Sequence, residues 1–327
     1  MGKISENKLK MLYILQALKE RSDEDHRLGA PELSAEIEAH GLTVDRKTIY
    51  DDIETLREAG IDIEYSKEKP AGYYLAERDF DLAELKLLVD VVQSAKLITD
   101  KKTKQLIDKL SAQASEPQSK QLKNKAYVFN RAKTPNEDIF YNVDRVHSAM
   151  SQDRRISFKY YRWNTDKKLE ARNGGRKVAV SPWAMTWDDE NYYMIAFDEA
   201  ESCIKFYRVD KMKYIDILDE PRQGQDEWVK FDAPNFATRT FNMWGEDPCK
   251  VELECENSLI GPILDRFGTD VIIVPEGSDK FRVTVEICVS RHFFGWLVSL
   301  GEGIRIRGPQ NVVDAYRAHL KKMLANI

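Results

Sequence analysis

Arg46, Lys47, Thr48 and Tyr50 crowd into the start of "DRKTIYDDIETLREAG", with Arg57 seven residues beyond Tyr50. Arginine and lysine bind guanine edges or phosphates, and threonine and tyrosine bind phosphates or a thymine methyl. Asp45 is a good N-cap and Gly60 a good residue just past a C-terminus, so the stretch predicts one helix. On a wheel of about 100° per residue, Ile49, Ile53 and Leu56 form the inward stripe. Arg46, Tyr50 and Arg57 then share one flank, Lys47 points outward and Thr48 lies on the other flank. A helix of this kind meets base edges with its N-terminal turns. Its acids, Asp45, Asp51, Asp52, Glu54 and Glu58, outnumber its bases. Asp45 is a cap, and Glu54 and Glu58 lie past the groove-facing turns. Asp51 is the one acid in the second turn that points outward without an evident role.

A second group stands in "SPWAMTWDDENYYMIAFDEAESCIKFYRVDKM". Strand alternation in "KFYRV" sets Lys205, Tyr207 and Val209 on one face and Phe206 with Arg208 on the other. In "NYYMIAF", Tyr192, Met194 and Ala196 alternate with Tyr193, Ile195 and Phe197. A tyrosine and an arginine brought beside Ser181 would hold a phosphate or a nucleobase by charge-assisted bonds and stacking. Ser181, Trp183, Tyr193, Lys205, Tyr207 and Arg208 are therefore the candidate ligand-binding residues, with Tyr160, Tyr161 and Arg162 as further rim candidates. The alternative is that Tyr193 and Arg208 are sheet residues whose polar tips are satisfied within the protein.

Catalytic chemistry finds no comparable grouping. The chain has no G-x-S-x-G, H-E-x-x-H or Walker loop. "GEGIRIRG" follows a predicted helix and begins a strand, the wrong context for a dinucleotide. The five histidines are scattered, and Cys203, Cys249, Cys255 and Cys288 make no C-x-x-C pair. Buried small hydrophobes in a reducing compartment fit those cysteines better than ligands or disulfides. No enzyme activity, metal or cofactor is expected.

The 327 residues exceed one ordinary domain, so several modules are expected. A net charge of -5 argues against a protein that coats polyanions generally, while leaving room for a local DNA-reading face. The N-terminal segment is charged and amphipathic rather than signal-like, and no run reaches the roughly 18 apolar residues of a membrane helix. A cytoplasmic protein without membrane association is the expectation.

Residues 1–78 predict three helices and a hairpin, "IDIEYS" and "GYYLA" flanking "KEKPA", which is the winged helix-turn-helix plan. Residues 79–133 predict further helices, either a dimerising spacer or a small independent core. A helix from about Pro135 to Met150 leads into five short strands separated by "KKLEARNGG", "DDE" and "DEAES" as turns, a small antiparallel barrel or sheet within residues 134–220. After the polar "DEPRQGQDEW", residues 221–327 carry a split βαβ pattern, ferredoxin-like, with a terminal helix.

"DRKTIYDDIETLREAGIDIEY" with the following "GYYL" resembles the winged helix-turn-helix of DeoR-like and WYL-domain transcriptional regulators. This chain keeps Thr48, Ile49, Asp52, Ile53 and Leu56 of that pattern but has Asp51 where the family usually places arginine. The middle block is similar to a WYL domain, with Ser181-Pro182, Tyr192-Tyr193-Met194 for the Trp-Tyr-Leu triplet, and Tyr207-Arg208-Val209-Asp210-Lys211 for the later string. Lys211 replaces the family's second arginine, and Lys205 stands where arginine is usual. The resemblance covers nearly the whole chain and implies an α+β multidomain fold with an Sm/SH3-like barrel and a C-terminal extension. It implies a homodimeric regulator of double-stranded DNA whose WYL domain senses a nucleotide or single-stranded nucleic acid. The alternative is a ligand-modulated interaction or accessory subunit that does not itself read DNA.

Overall fold

The computed structural model describes residues 6–124, 133–188, 190–231, 239–240 and 248–326. The chain divides into two compact units, 1–137 and 138–327.

The first unit opens with α1 (Glu6–Arg21), α2 (Ala30–Ala39) and α3 (Arg46–Glu58), followed by β1 (Ile63–Ser66) and β2 (Gly72–Leu75). The Asp45 carboxylate accepts the Thr48 amide at 2.9 Å and so starts α3. The chain leaves that helix through Gly60, whose φ of 90° suits a residue without Cβ. Ile14, Leu18, Leu33, Ile37, Ile49 and Ile53 are buried together with Ile63 and Leu75, so one core joins all three helices to the hairpin. The stripe Ile49, Ile53 and Leu56 packs inward as its spacing requires.

Three more helices complete the unit: α4 (Leu82–Ser94), α5 (Asp100–Ser111) and α6 (Glu116–Asn124). A reciprocal capping box between Asp81 and Glu84 begins α4, and Thr99 caps α5. Leu85, Ala114 and Leu122 form a small separate core. The helical segment is also tied to the first 78 residues by polar contacts. The buried Asp23 carboxylate accepts hydrogen bonds from Ser115 and from the amides of Asp25 and His26. Arg78 donates to the carbonyls of Ser22 and Gln113. Residues 125–132 of the predicted helical stretch lie outside the described residues.

The second unit begins with α7 (Ile139–Ser151), four residues later than the sequence suggested, because Pro135 and Asn136 remain in an irregular approach. Then come β3 (Arg154–Trp163), β4 (Leu169–Ala171), β5 (Val178–Asp188), β6 (Asn191–Asp198), β7 (Cys203–Arg208) and β8 (Met212–Pro221). Two expected connections are corrected. "KKLEARNGG" is not all turn, since Leu169 to Ala171 pair with Trp163 to Tyr161. The polar "DEPRQGQDEW" contains the end of β8 and a short helix, α8 (Gln225–Lys230). The sheet order is β4-β3-β5-β6-β7, with β8 on the other side of β3, all antiparallel. Tyr193 through Asp198 are all buried, so β6 is covered on both faces and its alternation carries no inside and outside.

The chain continues with β9 (Cys249–Glu256), α9 (Ile260–Phe267), β10 (Ile273–Glu276), β11 (Lys280–Ile287), α10 (Arg291–Ser299), β12 (Ile304–Gly308) and α11 (Gln310–Leu324). The sheet order is β10-β11-β9-β12. Val251, Leu253, Phe281, Val283 and Val285 face a core with Ile263, Phe293 and Leu297 from the helices. The opposite face is ionic. There Glu254 is only 4% exposed beneath Lys280, Arg305 and Arg307. Hydrogen bonds from Arg305 and Lys280 pull its carboxyl down to about 2.

Candidate nucleic-acid interface and effector site

In the first unit, Arg46 and Lys47 are exposed at the start of α3, and no described acid pairs with either. Arg46 donates through Nε to the Tyr50 hydroxyl, which lines the two along one helix flank. Thr48 is committed to the cap, its Oγ1 donating to Asp45 at 2.9 Å. Arg57 is a brace: Nε donates to the Ile63 carbonyl at 2.6 Å, and a terminal nitrogen binds Glu54. Of the five predicted residues, Arg46, Lys47 and Tyr50 therefore share the exposed first turns of α3, Thr48 shapes the helix start and Arg57 holds the hairpin.

The acids sort in the same way. Glu54 is neutralised by Arg57. Asp52 is half-buried, and burial raises its carboxyl against the opposing pull of Lys10. Asp51 stays exposed. Sequence reasoning missed an aromatic ladder that continues the face onto the hairpin. Tyr50 meets Tyr73, Tyr73 meets Tyr65 at 4.8 Å, and Arg57 lies over the Tyr73 ring. The cross-strand register Tyr65↔Tyr73 was the available signal, because paired residues point to one side.

In the second unit the six predicted ligand residues fall into three groups. Tyr193 pairs in register with Arg208, and both belong with Tyr160, whose hydroxyl accepts the Arg208 amide at 3.1 Å. Arg208 grips the buried Asp210 with two hydrogen bonds of 3.0 Å, and Lys211 reaches the same carboxylate at 3.0 Å. Arg172 lies over the Tyr160 ring. Burial raises the Asp210 carboxyl, but its bonds and charge contacts with Arg208 and then Lys211 outweigh that and hold it low. Burial likewise pushes the Tyr160 phenol up, keeping it neutral. This cluster presents Arg208 and Lys211 around a single acid, with the Tyr160 ring beside them and Arg172 over that ring.

Lys205 and Tyr207 belong to the other face of β7, as alternation required. Both bind Asp198, at 2.7 and 3.1 Å, so their polar tips are satisfied. Ser181 and Trp183 form a third group. Ser181 lies opposite Phe197, whereas Tyr193 lies opposite Thr186, so the strand register separates Ser181 from the Arg208 group. The predicted meeting of Ser181 with Tyr193 and Arg208 does not occur. Ser181 Oγ accepts the Gln223 amide at 2.8 Å, and Trp183 Nε1 donates to the Gln223 carbonyl. Trp183 is also stacked on Trp228 and covered by Arg222 at 4.2 Å. Gly224 makes this corner: at φ 78°, an added Cβ would lie 2.1 Å from the Phe197 ring.

Of the cysteines, Cys255 and Cys288 are buried as expected, and burial pushes the Cys255 thiol up to about 12. Cys203 departs from the expectation and is exposed. No described helix is long and apolar enough to cross a membrane.

Residues 141–217 match the WYL domain and residues 247–324 match the WCX domain. No curated protein matches the chain. Among solved structures, the proteasome accessory factor B/C of Arthrobacter aurescens is similar over 98% of this chain, at 16% identity and a TM-score of 0.30. This chain spans about half of that one, 49% of its length. A CRISPR Cas-related protein is similar over 100% of this chain and 87% of its own, at 12% identity and a TM-score of 0.37.

Proposed function

Because the chain carries a WYL domain and a WCX domain, we propose that it is a ligand-responsive, sequence-specific DNA-binding transcriptional regulator and not an enzyme. The observation that carries the DNA reading is the exposed Arg46–Lys47 pair, ion-paired to no described acid, opening a helix that packs on two others. In this reading residues 1–78 are a winged helix-turn-helix, with α3 in the major groove and the Tyr65–Tyr73 hairpin as the wing. Residues 79–133 are a spacer, residues 134–220 an Sm/SH3-like sensing barrel, and residues 221–327 a ferredoxin-like extension. A cytoplasmic homodimer would place two reading helices on two half-sites.

The effector reading rests on Arg208, Lys211, Arg172, Tyr160 and Tyr193, which offer cations and an aromatic face to a nucleotide or single-stranded nucleic acid. Ligand binding there would shift the relative populations of states that fit the half-site spacing. A mobility-shift titration with the DNA upstream of the protein's own gene tests the DNA reading. Saturable, salt-sensitive binding lost in Arg46→Ala is expected; binding unchanged in that variant would sink it. Calorimetry with nucleotides and short single strands tests the effector reading, with the heat expected to vanish in Arg208→Ala.

Asp51 favours one other reading, in which the three-helix face meets a protein and the chain is a ligand-modulated accessory subunit. Failure to bind any duplex, with an intact fold, would favour it.

A further inference from the structure

Residues 6–78 and the helical segment α4–α6 meet without sharing a core among the described residues. Ile14, Leu18 and the side chains buried with them form one cluster, and Leu85, Ala114 and Leu122 form another, neither including a side chain of the other. Buried polar groups join the two instead. Ser115 donates its hydroxyl to Asp23, a residue only 4% exposed. Arg78 bridges the same junction, donating to the Ser22 carbonyl at 2.7 Å and to the Gln113 carbonyl at 3.3 Å. Burial alone would raise the Asp23 carboxyl, but the bonds from Ser115 and His26 outweigh it and hold it low.

Each half of this junction is complete by itself. Asp23 also accepts the amides of Asp25 and His26, at 3.0 and 2.9 Å, and it exchanges backbone hydrogen bonds with His26. The loop after α1 is thus closed without the helical segment. Ser115 stands at the N-cap of α6, where its Oγ accepts the Gln118 amide at 3.3 Å, a bond that needs nothing from Asp23. Separating the halves therefore exchanges a few hydrogen bonds for bonds to water, a small net loss, and uncovers neither apolar core. A cavity of about 420 Å³ already lies between them, lined by Lys19, Gly60, Ile61, Arg78, Ala112 and Gln113. The chain leaves α3 through Gly60 and Ile61, so movement at this junction begins beside the end of that helix.

We propose that Asp23, Arg78 and Ser115 form a reversible latch, and that its opening frees α3 from the helical segment. A charge-assisted bond onto a buried carboxylate makes the closed state definite, because hydroxyl and acid must meet in one geometry. Parts joined by few contacts open locally, well below the free energy of global unfolding. With the latch closed, α3 and α4–α6 move as one body, and two copies hold their reading helices at a set separation. With it open, each α3 keeps its own core but loses that placement. The effective concentration of the second helix at its half-site then falls. This functional half rests on the DNA reading; the latch itself does not.

Two measurements on the full chain test it. Ser115→Gly removes the hydroxyl, while glycine remains an acceptable N-cap, so α6 survives the change. Native-state hydrogen exchange, read by mass spectrometry, should then speed about tenfold in the loop after α1 and in α6, as expected for one lost charge-assisted bond. Peptides of α2 and α3 should exchange as in wild type. Arg78→Met should give the same pattern, and Ser115→Thr, which keeps the hydroxyl, should retain slow exchange. In anisotropy titrations, Ser115→Gly should bind a single half-site from the upstream DNA as wild type does, and a two-half-site duplex about tenfold more weakly. Exchange at wild-type rates in both Ser115→Gly and Arg78→Met overturns the latch. Acceleration shared equally by α2 and α3 also overturns it, because that marks a general loss of stability. Local acceleration with an unchanged preference for the two-site duplex overturns the regulatory role. If wild type binds no duplex, the DNA reading and that role fall together, while exchange alone decides the latch.

Discussion

Two cationic clusters carry the proposed function, and they are held in opposite ways. Arg46 and Lys47 stand exposed on α3 with no described acid ion-paired to either, their positive charge offered to solvent. Arg208 and Lys211 close on Asp210, a carboxylate with 6% side-chain exposure. The first arrangement suits a polyanion, where affinity comes from releasing counterions and no internal partner has to be displaced. The second fixes a guanidinium in one orientation, and leaves part of its donor set for a ligand that must share it with the acid. In the proposed reading, one cluster gives reach along a charged rod and the other position within a site.

That contrast breaks most visibly at Asp210. Asp210→Asn leaves the two cations facing each other without their anion, a change that costs 3–5 kcal/mol for fully buried pairs. Arg208 is 36% exposed, so solvent offsets part of this, and about 2–3 kcal/mol is expected in denaturant unfolding. The pH dependence has the matching sign. The folded Asp210 and Asp198 carboxyls are held below their ordinary range, in each case because neighbouring cations outweigh burial. Their contribution is present above about pH 3.9 and is lost as pH falls through the lower folded values. Wild-type stability should drop in that acidic window, and Asp210→Asn should flatten the drop. An Asn variant with wild-type stability and an unchanged acid profile would show that Asp210 does not organise the cluster.

On the open side of the comparison, Arg46→Ala should weaken a cognate duplex by about 1–3 kcal/mol and relax discrimination at one base position. Lys47→Ala should weaken all duplexes alike and reduce the salt slope by about 0.9. Anisotropy titrations at several salt concentrations separate the two. Identical behaviour of both variants would mean that α3 contacts backbone only.

Arg57 sharpens the comparison because its sequence position suggested the first cluster and its contacts resemble the second. It is spent on Ile63 and Glu54, so Arg57→Ala should cost about 1 kcal/mol of stability by freeing the hairpin. The salt slope for duplex binding should stay as in wild type. A slope reduced by a whole phosphate would return Arg57 to the DNA-facing set.

These cases also mark what the sequence could disclose. The inward stripe Ile49, Ile53 and Leu56, the Asp45 cap and the alternation of Lys205 with Tyr207 are local properties, and helix and strand periods expose them directly. Whether Arg57 reads DNA or braces a strand depends on where β1 passes, six residues away, which periodicity does not encode. Ser181 failed as a partner of Arg208 for a similar reason, because register across three strands decides it. The bulge of β8 at Tyr214, where the ladder advances two residues on β3 and three on β8, was invisible because it is a mismatch between two strands, and neither "KYIDIL" nor "RISFKYYRW" shows it alone. Strand β4 was lost within apparent turn residues, since three residues are too few to display a period.

The smallest effect lies at Asp51, the acid that sets α3 apart from the pattern it resembles. Asp45, Asp52 and Glu54 are each accounted for by a cap, partial burial or an ion pair, while Asp51 remains exposed in the second turn. Its hydrogen bond from Thr55 uses the backbone carbonyl, so the carboxylate is not needed to hold the helix. An exposed acid near a phosphate is screened by salt, with a reach of about 10 Å at 0.1 M. Asp51→Asn should therefore leave Tm unchanged and tighten duplex binding severalfold at low salt, a gain that fades as salt rises. Asp51→Arg should tighten it further and steepen the salt slope by about one phosphate contact. If both substitutions instead abolish duplex binding while Arg46→Ala does not, Asp51 is itself a reading residue, an acceptor for a cytosine amino group, and the charge count of this helix was never a defect.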